Sequence, residues 1–238
     1  MRSQKKSLFL QKQKIMDIQN ILSFLSAVKE NNNREWFAEN RAWYDRSKAD
    51  FEKLTATLIT EIARFDEDIK HVQVKDCTFR IYNDTRFHGK VPYKTHFGTY
   101  IASHGGRKSP RGGYYLHLDP DGCFLAVGVW QPEPNVLKAL RQAVYENIDE
   151  FKEIINEKNF KTYFHSFHDE DMLKTAPKGF PKDFEDIYFL KLKHYIADHN
   201  LPADFFAQKD FVKQLVTIFE TARPFNKFLN YTVDEIIV

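Results

Sequence analysis

The sequence predicts a single α+β domain, in which a mainly antiparallel central sheet (about residues 72–130) is packed by N-terminal and C-terminal helices. Two changes of hydrophobic period indicate this fold class. Apolar residues follow helical spacing from Asp17 to about residue 65, then alternate with a period of two, and return to helical spacing after about residue 130. Helices on both sides of a run of strands, without an internal repeat or linker, favour one domain with segregated layers.

The chain before Asp17 reads as a separate basic tail. Residues 1–16 carry five bases and no acid, and Met16 stands directly before the first helical pattern. We therefore expect residues 1–16 to be a disordered tail and residues 17–238 to form the domain; if translation starts at Met16, residues 1–15 are not translated. The first helix follows Asp17. A second helix is expected to begin with Asn32 as its N-cap and Glu35 as the capping-box partner.

Four strands are predicted at about 72–83, 94–103, 112–119 and 123–130. The turn Asp119-Pro120-Asp121-Gly122 predicts a β-hairpin with Gly122 in the left-handed conformation. Tyr115 and His117 then project from one face of the third strand. Their cross-strand neighbours are either Leu125 and Val127 or Ala126 and Gly128, and the second register would leave space beside His117.

The C-terminal third is predicted to be mostly helical. A helix starts near Pro134 with a kink near Asn147, followed by short turns and loop over 156–185. Alternating apolar and basic residues predict a strand over 187–196. The final helix covers about 208–222, and Pro224 is expected to interrupt it before one or two further turns.

Composition excludes several classes of protein. Hydrophobic content of 42% and charged content of 29% are typical of globular domains and argue against disorder throughout. There is no apolar run long enough for a transmembrane helix and no signal-peptide pattern near Met1, so we expect a cytoplasmic protein with no membrane partner. Cys77 and Cys123 form no disulfide framework and are expected to be buried thiols in strands. Twenty-two phenylalanines favour an aromatic core over a lined cavity.

Positive charge is concentrated in the centre of the chain. Residues 71–112 carry a net charge of +6 and residues 1–16 carry +5, although the whole chain carries only +2. The remainder is therefore acidic. A basic centre in an acidic shell favours an anionic partner and argues against a wholly basic coat for nucleic acid.

The leading candidate site lies in this basic region. If residues 77–86 form a strand, Arg80, Tyr82, Asp84 and Arg86 share one face, and Cys77, Phe79 and Ile81 line the opposite, core-facing side. Guanidinium groups bind phosphate or carboxylate through paired hydrogen bonds. We therefore expect a small anionic ligand to be bound by the following residues: Arg80, Asp84, Arg86, Lys90, Tyr93, Lys94, Tyr115 and His117.

Two other interpretations use the same residues. In a structural one, Asp84 neutralises Arg80 and Arg86 in a buried ionic network. In an enzymatic one, His117 or His96 acts as a general acid or base, with Asp84 orienting it and Tyr93 donating a proton. The sequence offers no identifiable nucleophile, and whether the protein is an enzyme stays open.

We expect neither a metal nor another cofactor from the sequence. Metal ligation by His88, His96, His104 and His117 is the weakest hypothesis, because their separations do not match ligands one helical turn apart.

Macromolecular partners provide the alternative functions. Basic residues interleaved with Tyr82, Phe87, Tyr93, Phe97 and Tyr100 could stack bases and follow a phosphate backbone, but the acidic remainder of the chain argues against nucleic acid. A protein-interaction module would use the aromatic C-terminal helix. The sequence does not indicate an oligomeric state.

Several ordered motifs resemble one family. The motifs are Asn32-Asn33-Arg34-Glu35-Trp36-Phe37 with Asn40-Arg41, Phe79 to Phe87, Pro92-Tyr93-Lys94-Thr95-His96-Phe97, Gly113-Tyr114-Tyr115-Leu116-His117, and Gly128-Val129-Trp130-Gln131-Pro132 with Arg141. Over about residues 18–230 they resemble the uncharacterised, mainly bacterial family catalogued as domain of unknown function 2461. Asn83 stands where that family usually has Arg, and the segment between Arg86 and Pro92 is one residue shorter. The resemblance implies the extent of the domain and carries no activity.

Overall fold

A computed structural model describes residues 16–84 and 91–237. The predicted tail before Met16 lies outside the described residues. Three helices open the described part of the chain: α1 (Ile18–Glu30), α2 (Arg34–Glu39) and α3 (Arg41–Ile62). The side chain of Asp17 caps α1 by accepting a hydrogen bond from the backbone N–H of Asn20 at 2.8 Å.

The N-cap of α2 is Asn33, so the prediction of Asn32 was wrong by one residue. The side chain of Asn33 accepts a hydrogen bond from the N–H of Trp36 at 2.8 Å. Asn32 instead bonds the backbone of Tyr93 twice: its Nδ2 donates to the carbonyl at 2.9 Å, and its Oδ1 accepts from the N–H at 3.1 Å. These bonds tie the N-terminal helices to the loop that leads into the sheet.

The sheet has four antiparallel strands in the order β1 (Phe97–Ile101), β2 (Gly113–Leu118), β3 (Phe124–Val129) and β4 (Tyr195–Asn200). The α+β class and the three consecutive strands are as predicted. The N–H of Gly122 donates to the carbonyl of Asp119 at 3.1 Å, which closes the predicted hairpin. The left-handed conformation predicted for Gly122 is wrong, because the φ angle of Gly122 is not positive.

The predicted strand over 72–83 is absent, so the sheet does not begin at residue 72. This segment contains the helix α4 (Val74–Cys77), and its one bridge to a strand of the sheet joins Thr78 to Thr99. Because α4 is helical, strand alternation does not extend back to Cys77. Cys77 and Ile81 are buried as predicted, but Phe79 is 37% exposed rather than facing the core.

The predicted strand over 187–196 was also wrong in position. The helix α8 (Ile187–Lys191) occupies its first half, and β4 starts only at Tyr195. Alternating apolar and basic residues also fit a single helical turn that buries one side, and here Leu190 is fully buried. Earlier helices are α5 (Pro134–Glu146), α6 (Ile148–Asn156) and α7 (Lys158–Tyr163), and the break at Asn147 matches the predicted kink.

Two helices end the described chain, α9 (Phe211–Thr221) and α10 (Arg223–Ile237). The second is much longer than the one or two turns predicted after Pro224. Pro224 lies in the first turn of α10, where its missing N–H removes no helical hydrogen bond, so it begins a helix instead of only ending one.

Helices cover one face of the sheet and leave part of the other face open. On the covered face α3 contacts β1 and α10 contacts β3, over buried side chains such as Leu116 and Val127. Much of the phenylalanine content lies in this core; Phe151, for example, is fully buried among five other rings. Across the described residues, no helix is both long and apolar enough to cross a bilayer.

Both cysteines are free and buried, as expected, but neither lies in a strand: Cys77 is in α4, and Cys123 directly precedes β3. Burial raises the pKa of Cys77 to about 12 and also raises the pKa of Cys123. We therefore predict that neither thiol reacts with a thiol-specific disulfide reagent in the folded protein at pH 8, and that both react after denaturation. Rapid labelling of Cys77 in the native protein, located by mass spectrometry, would contradict this.

Candidate functional site: a basic cleft beside an open sheet face

A cleft of about 790 Å³ lies between α3, the segment around residues 75–82 and the start of β1. We call it the basic cleft, because its lining carries these cations: Lys48, Lys75, Arg80, Lys94, Arg107 and Lys108. Among the described residues that line it, Glu52 is the only acid, and it pairs with Lys48 at 2.5 Å. The cleft therefore has a large excess of positive charge.

Arg80 and Lys94, both predicted as ligands, meet in this cleft. Arg80 forms no ion pair with any described carboxylate, and neither does Lys94. Lys94 is half-buried, with its Nζ 5.6 Å from the centre of the Phe79 ring. Burial lowers the pKa of Lys94, and the nearby Arg80 charge lowers it further. Two cations are thus held together without a compensating acid in the described chain.

A second space, which we call the sheet-face cavity, has a volume of about 770 Å³ and lies over the open face of the sheet. Its floor is formed by alternating residues of all four strands, among them Tyr100, Tyr115, His117, Ala126 and Asp198. Asp198 is half-buried, and burial raises its pKa. The floor is therefore largely aromatic with a few polar groups, which is typical of small-molecule pockets.

Tyr115 and His117 share this face, as strand alternation predicts. The Oη of Tyr115 lies 2.8 Å from the Nδ1 of His117. Burial lowers the pKa of His117 to about 4, helped by the nearby His96, and burial raises the pKa of Tyr115 to about 12. His117 is therefore a neutral imidazole at pH 7. The Tyr115 ring lies over Gly98, where an added Cβ would be only 2.7 Å from the Tyr115 Oη.

Neither predicted register is observed in full. Tyr115 is opposite Ala126, but His117 is opposite Phe124, and the His117 and Phe124 rings stack with centroids 4.6 Å apart. The hairpin therefore places an aromatic ring, and not empty space, directly beside His117.

The basic cleft and the sheet-face cavity are adjacent because Phe79 and Arg107 line both. The Phe79 ring packs edge-on against Tyr115, with centroids 6.3 Å apart. Arg107 is held by a hydrogen bond from its Nη1 to the carbonyl of Lys75 at 2.7 Å. Phe79 and Arg107 thus form a common wall between a cationic space and an aromatic one.

Of the remaining predicted ligands, the structure describes only Tyr93 and Asp84. Tyr93 is buried, stacks on Phe37 at 3.9 Å and does not line either space in the described chain, so it is not placed to donate a proton beside His117. Asp84 is half-buried. Arg86 and Lys90 lie outside the described residues, as do Phe87 and His88.

The histidines behave differently from one another. His96 lies next to His117, with ring centroids 4.5 Å apart. His104 is separate from this pair, because its Nδ1 lies 3.1 Å from Ser103 Oγ and 3.2 Å from Arg111 Nη1.

The aromatic residues considered as base-stacking groups differ in exposure. Tyr82 is 41% exposed in the basic cleft, whereas Phe97 is buried. Tyr100 lines the sheet-face cavity.

Sequence reasoning missed the far rim of the sheet-face cavity, formed by Trp130, Gln131 and His168. Trp130 is half exposed and stacks on His194 at 4.3 Å. Gln131 has a φ angle of +46°, and its N–H donates to the Nδ1 of His194 at 3.0 Å. A left-handed glutamine is strained, and such strain is often found at binding sites. The Gly128–Pro132 motif includes Trp130 and Gln131, but no pattern in the sequence indicates that β3 pairs with β4 beside them.

Fold and site together define an α+β protein with a one-sided helical layer, an open aromatic sheet face and an adjoining cationic cleft. No curated protein and no solved structure matches the chain. The profile of the family described as conserved hypothetical protein (DUF2461) matches residues 20–228. The chain belongs to this family, which confirms the resemblance predicted from its motifs.

Proposed function

We propose that the basic cleft binds a small molecule carrying a phosphate or carboxylate group. The observation that carries this proposal is that two cations, Arg80 and Lys94, lie close together in the cleft and that neither has an acidic partner among the described residues. Holding two like charges together is unfavourable, and burial of Lys94 increases the cost. An anion bound between Arg80 and Lys94 offsets both the repulsion between the two cations and the cost of burying the Lys94 charge.

The two cations supply different contacts to such a ligand. A guanidinium group is planar and donates two parallel hydrogen bonds to one phosphate or carboxylate, whereas an ammonium group acts as a compact point charge. Arg80 is exposed and can approach a ligand that arrives from solvent, while Lys94 is half-buried deeper in the cleft. Lys108 and Arg107 add positive charge along the same lining.

The sheet-face cavity supplies room for the uncharged part of the ligand. Its volume of about 770 Å³ falls in the range of small-molecule pockets. The shared wall at Phe79 allows one ligand to place its anionic end in the basic cleft and a planar or apolar end against Tyr115 and Trp130. Aromatic walls favour flat groups. We therefore favour a phosphorylated or carboxylated molecule that also has a planar part.

Single-stranded nucleic acid is the second candidate, favoured by the exposure of Phe79 and Tyr82 beside the cations. Bases could stack on these rings while phosphates contact the lysines. The acidic remainder of the chain argues against a long binding track. The two candidates differ in salt dependence, because a polyphosphate backbone releases many counterions on binding and a single anionic group releases few.

We predict that Arg80→Gln and Lys94→Gln each weaken the binding of phosphate-containing ligands at least about tenfold, or ~1.4 kcal/mol, because each removes a charge-assisted contact. A panel of inorganic phosphate, pyrophosphate, nucleotides and sugar phosphates would first be screened by thermal shift. The best ligand would then be titrated calorimetrically against each variant at two salt concentrations.

The matched control is Lys138→Gln, which removes an exposed lysine from α5, outside both spaces. It should leave ligand affinity unchanged. Equal affinities for the Lys94→Gln and Lys138→Gln proteins would overturn the proposal, as would a panel in which no anion stabilises the parent. An affinity for oligonucleotides that exceeds every small ligand and falls steeply with salt would favour the second candidate.

A further inference from the structure

Beside the sheet-face cavity, His96, His117 and Asp119 bring three potential ligand atoms within 4.8 Å of one another. The strand register explains why they meet. Gly98 is opposite His117, and Phe97 is opposite Leu118, so the same register continued by one residue places His96 opposite Asp119. All three side chains therefore lie on one face. The side chains of His117 and Asp119 are only 14% and 16% exposed.

The three groups do not satisfy one another by hydrogen bonds. His117 Nε2 is 3.8 Å from Asp119 Oδ2, which is too long for a hydrogen bond. His96 forms no hydrogen bond with any other residue that the structure describes. Asp119 Oδ1 accepts from the N–H of Asp121 at 2.9 Å, which orients the carboxylate and leaves Oδ2 directed at His117. Two imidazoles and one carboxylate oxygen thus surround a common point.

A second cluster with the same composition provides a contrast. His168, Asp171 and His194 also approach within 4.8 Å. There, His194 Nδ1 accepts the Gln131 N–H at 3.0 Å, so the proton of the neutral ring is on Nε2, which lies 3.2 Å from Asp171 Oδ2 and donates to it. Both ring nitrogens of His194 are therefore engaged, and this ring has no free lone pair for a metal.

We propose that His96, His117 and Asp119 bind one divalent first-row transition-metal ion, for which Zn²⁺ is the reference. Two imidazoles and a carboxylate are the ligand set of open metal sites, with metal–ligand distances of about 2.0–2.2 Å. Ligand atoms around one ion then lie roughly 3–4 Å apart. The Nε2–Oδ2 distance of 3.8 Å already falls in this range, and the other separations do not exceed 4.8 Å.

The surroundings define what kind of metal site this would be. Three protein ligands leave at least one coordination position for water or a ligand, which is typical of catalytic rather than structural zinc. Of the three ligands His117 lines the sheet-face cavity, so the site adjoins a space large enough for a small molecule. The hydroxyl of Tyr115, 2.8 Å from His117 Nδ1, is the positioning group that fixes the ring while Nε2 binds the metal.

Metal ligation is the weakest of the sequence-based hypotheses, because the histidine separations do not match one helical turn. Pairing of β1 with β2 brings His96 and His117 together across strands, and the hairpin turn supplies Asp119. A separation rule for helices does not detect ligands that come from neighbouring strands.

The test uses the full chain without a histidine tag, stripped with a chelator. Titration with Zn²⁺ by calorimetry, with elemental analysis after gel filtration, should give one ion per chain. Co²⁺ should produce visible absorption bands of a four- or five-coordinate site. We expect His96→Gln and Asp119→Asn each to weaken Zn²⁺ binding about 100-fold, and Tyr115→Phe about tenfold. The control His168→Gln should bind Zn²⁺ as the parent does.

Asp119→Asn keeps the oxygen that accepts the Asp121 N–H, so this variant should fold, and circular dichroism would verify it. Parent-like Zn²⁺ affinity in the Asp119→Asn protein overturns the proposal. The proposal is also overturned if the parent protein binds no stoichiometric metal and shows no Co²⁺ bands. It is overturned likewise if His168→Gln loses Zn²⁺ binding and His96→Gln keeps it. The outcome is separable from that of the proposed anion site, because Lys94→Gln should retain the metal.

Discussion

Replacement of Gly128 by alanine is expected to destabilise the protein by about 4 kcal/mol or more, which for many domains abolishes folding. An added Cβ atom at residue 128 would lie 1.9 Å from the carbonyl oxygen of Tyr195 and 2.9 Å from the Phe225 ring. The φ angle of Gly128 is +108°, a conformation that alanine adopts only with strain. Because the closest atom belongs to the β4 backbone, relief requires β3 and β4 to separate.

Two other glycines separate the cost of the positive φ angle from the cost of the steric clash. Gly179 has a φ angle of +97° but open space around its Cβ position, so Gly179→Ala should cost only the backbone strain of roughly 1 kcal/mol. Gly122 has neither a positive φ nor a neighbour within 4 Å, so Gly122→Ala should be near neutral. Urea denaturation followed by circular dichroism gives the three free energies of unfolding. A Gly128→Ala protein as stable as Gly179→Ala would contradict this strand contact.

The second large effect is expected from Asn230→Ala, which should lower the free energy of unfolding by about 2–4 kcal/mol. The side-chain amide of Asn230 accepts from the Gly112 N–H at 2.6 Å and donates to the Gly112 carbonyl at 3.0 Å. Both bonds are buried, so truncation leaves a backbone donor and acceptor without partners in the interior. Gly112 directly precedes β2, which carries Tyr115 and His117.

Tyr231→Ala is the matched control for Asn230→Ala. Tyr231 is the next residue of α10 and is 73% exposed, so its removal should change the free energy of unfolding by less than about 0.5 kcal/mol. The same urea titrations apply. Hydrogen exchange at the Gly113 and Tyr114 amides should also accelerate in Asn230→Ala alone. If Asn230→Ala lowers the free energy of unfolding no more than Tyr231→Ala does, the Gly112 backbone finds other hydrogen-bond partners and the prediction is wrong.

Local patterns in the sequence were sufficient for the hairpin and the helices around it. Alternation placed Tyr115 and His117 on one face, and the Asp119–Gly122 turn located β2 and β3 to within a residue. The strand over 72–83 failed because a single helical turn, Val74–Cys77, contains too few residues to show a helical period. Strand β4 was misplaced because its main determinant is pairing with β3, which local sequence does not record.

Contacts between distant segments also decide which residues of the predicted site come together. Arg80 and Lys94 do meet, because the chain pairs at Tyr82 and Tyr93 and returns along itself. Tyr93 was expected beside them, but Asn32 from the N-terminal helices holds its backbone and Phe37 buries its ring. Asp198 and His168 reach the cavity only because β4 and the preceding loop pack there. Neither follows from any motif in their own segment.

The pairing of β3 with β4 also has a consequence for how the chain folds. Sixty-five residues separate Val129 from Tyr195, so these two strands are joined by a long excursion through four helices. Closing so long a loop carries a larger entropic cost than closing the β1–β2–β3 meander, and such non-local contacts slow folding. We therefore expect the meander to form in the folding transition state and β4 to join afterwards, which completes the sheet-face cavity last.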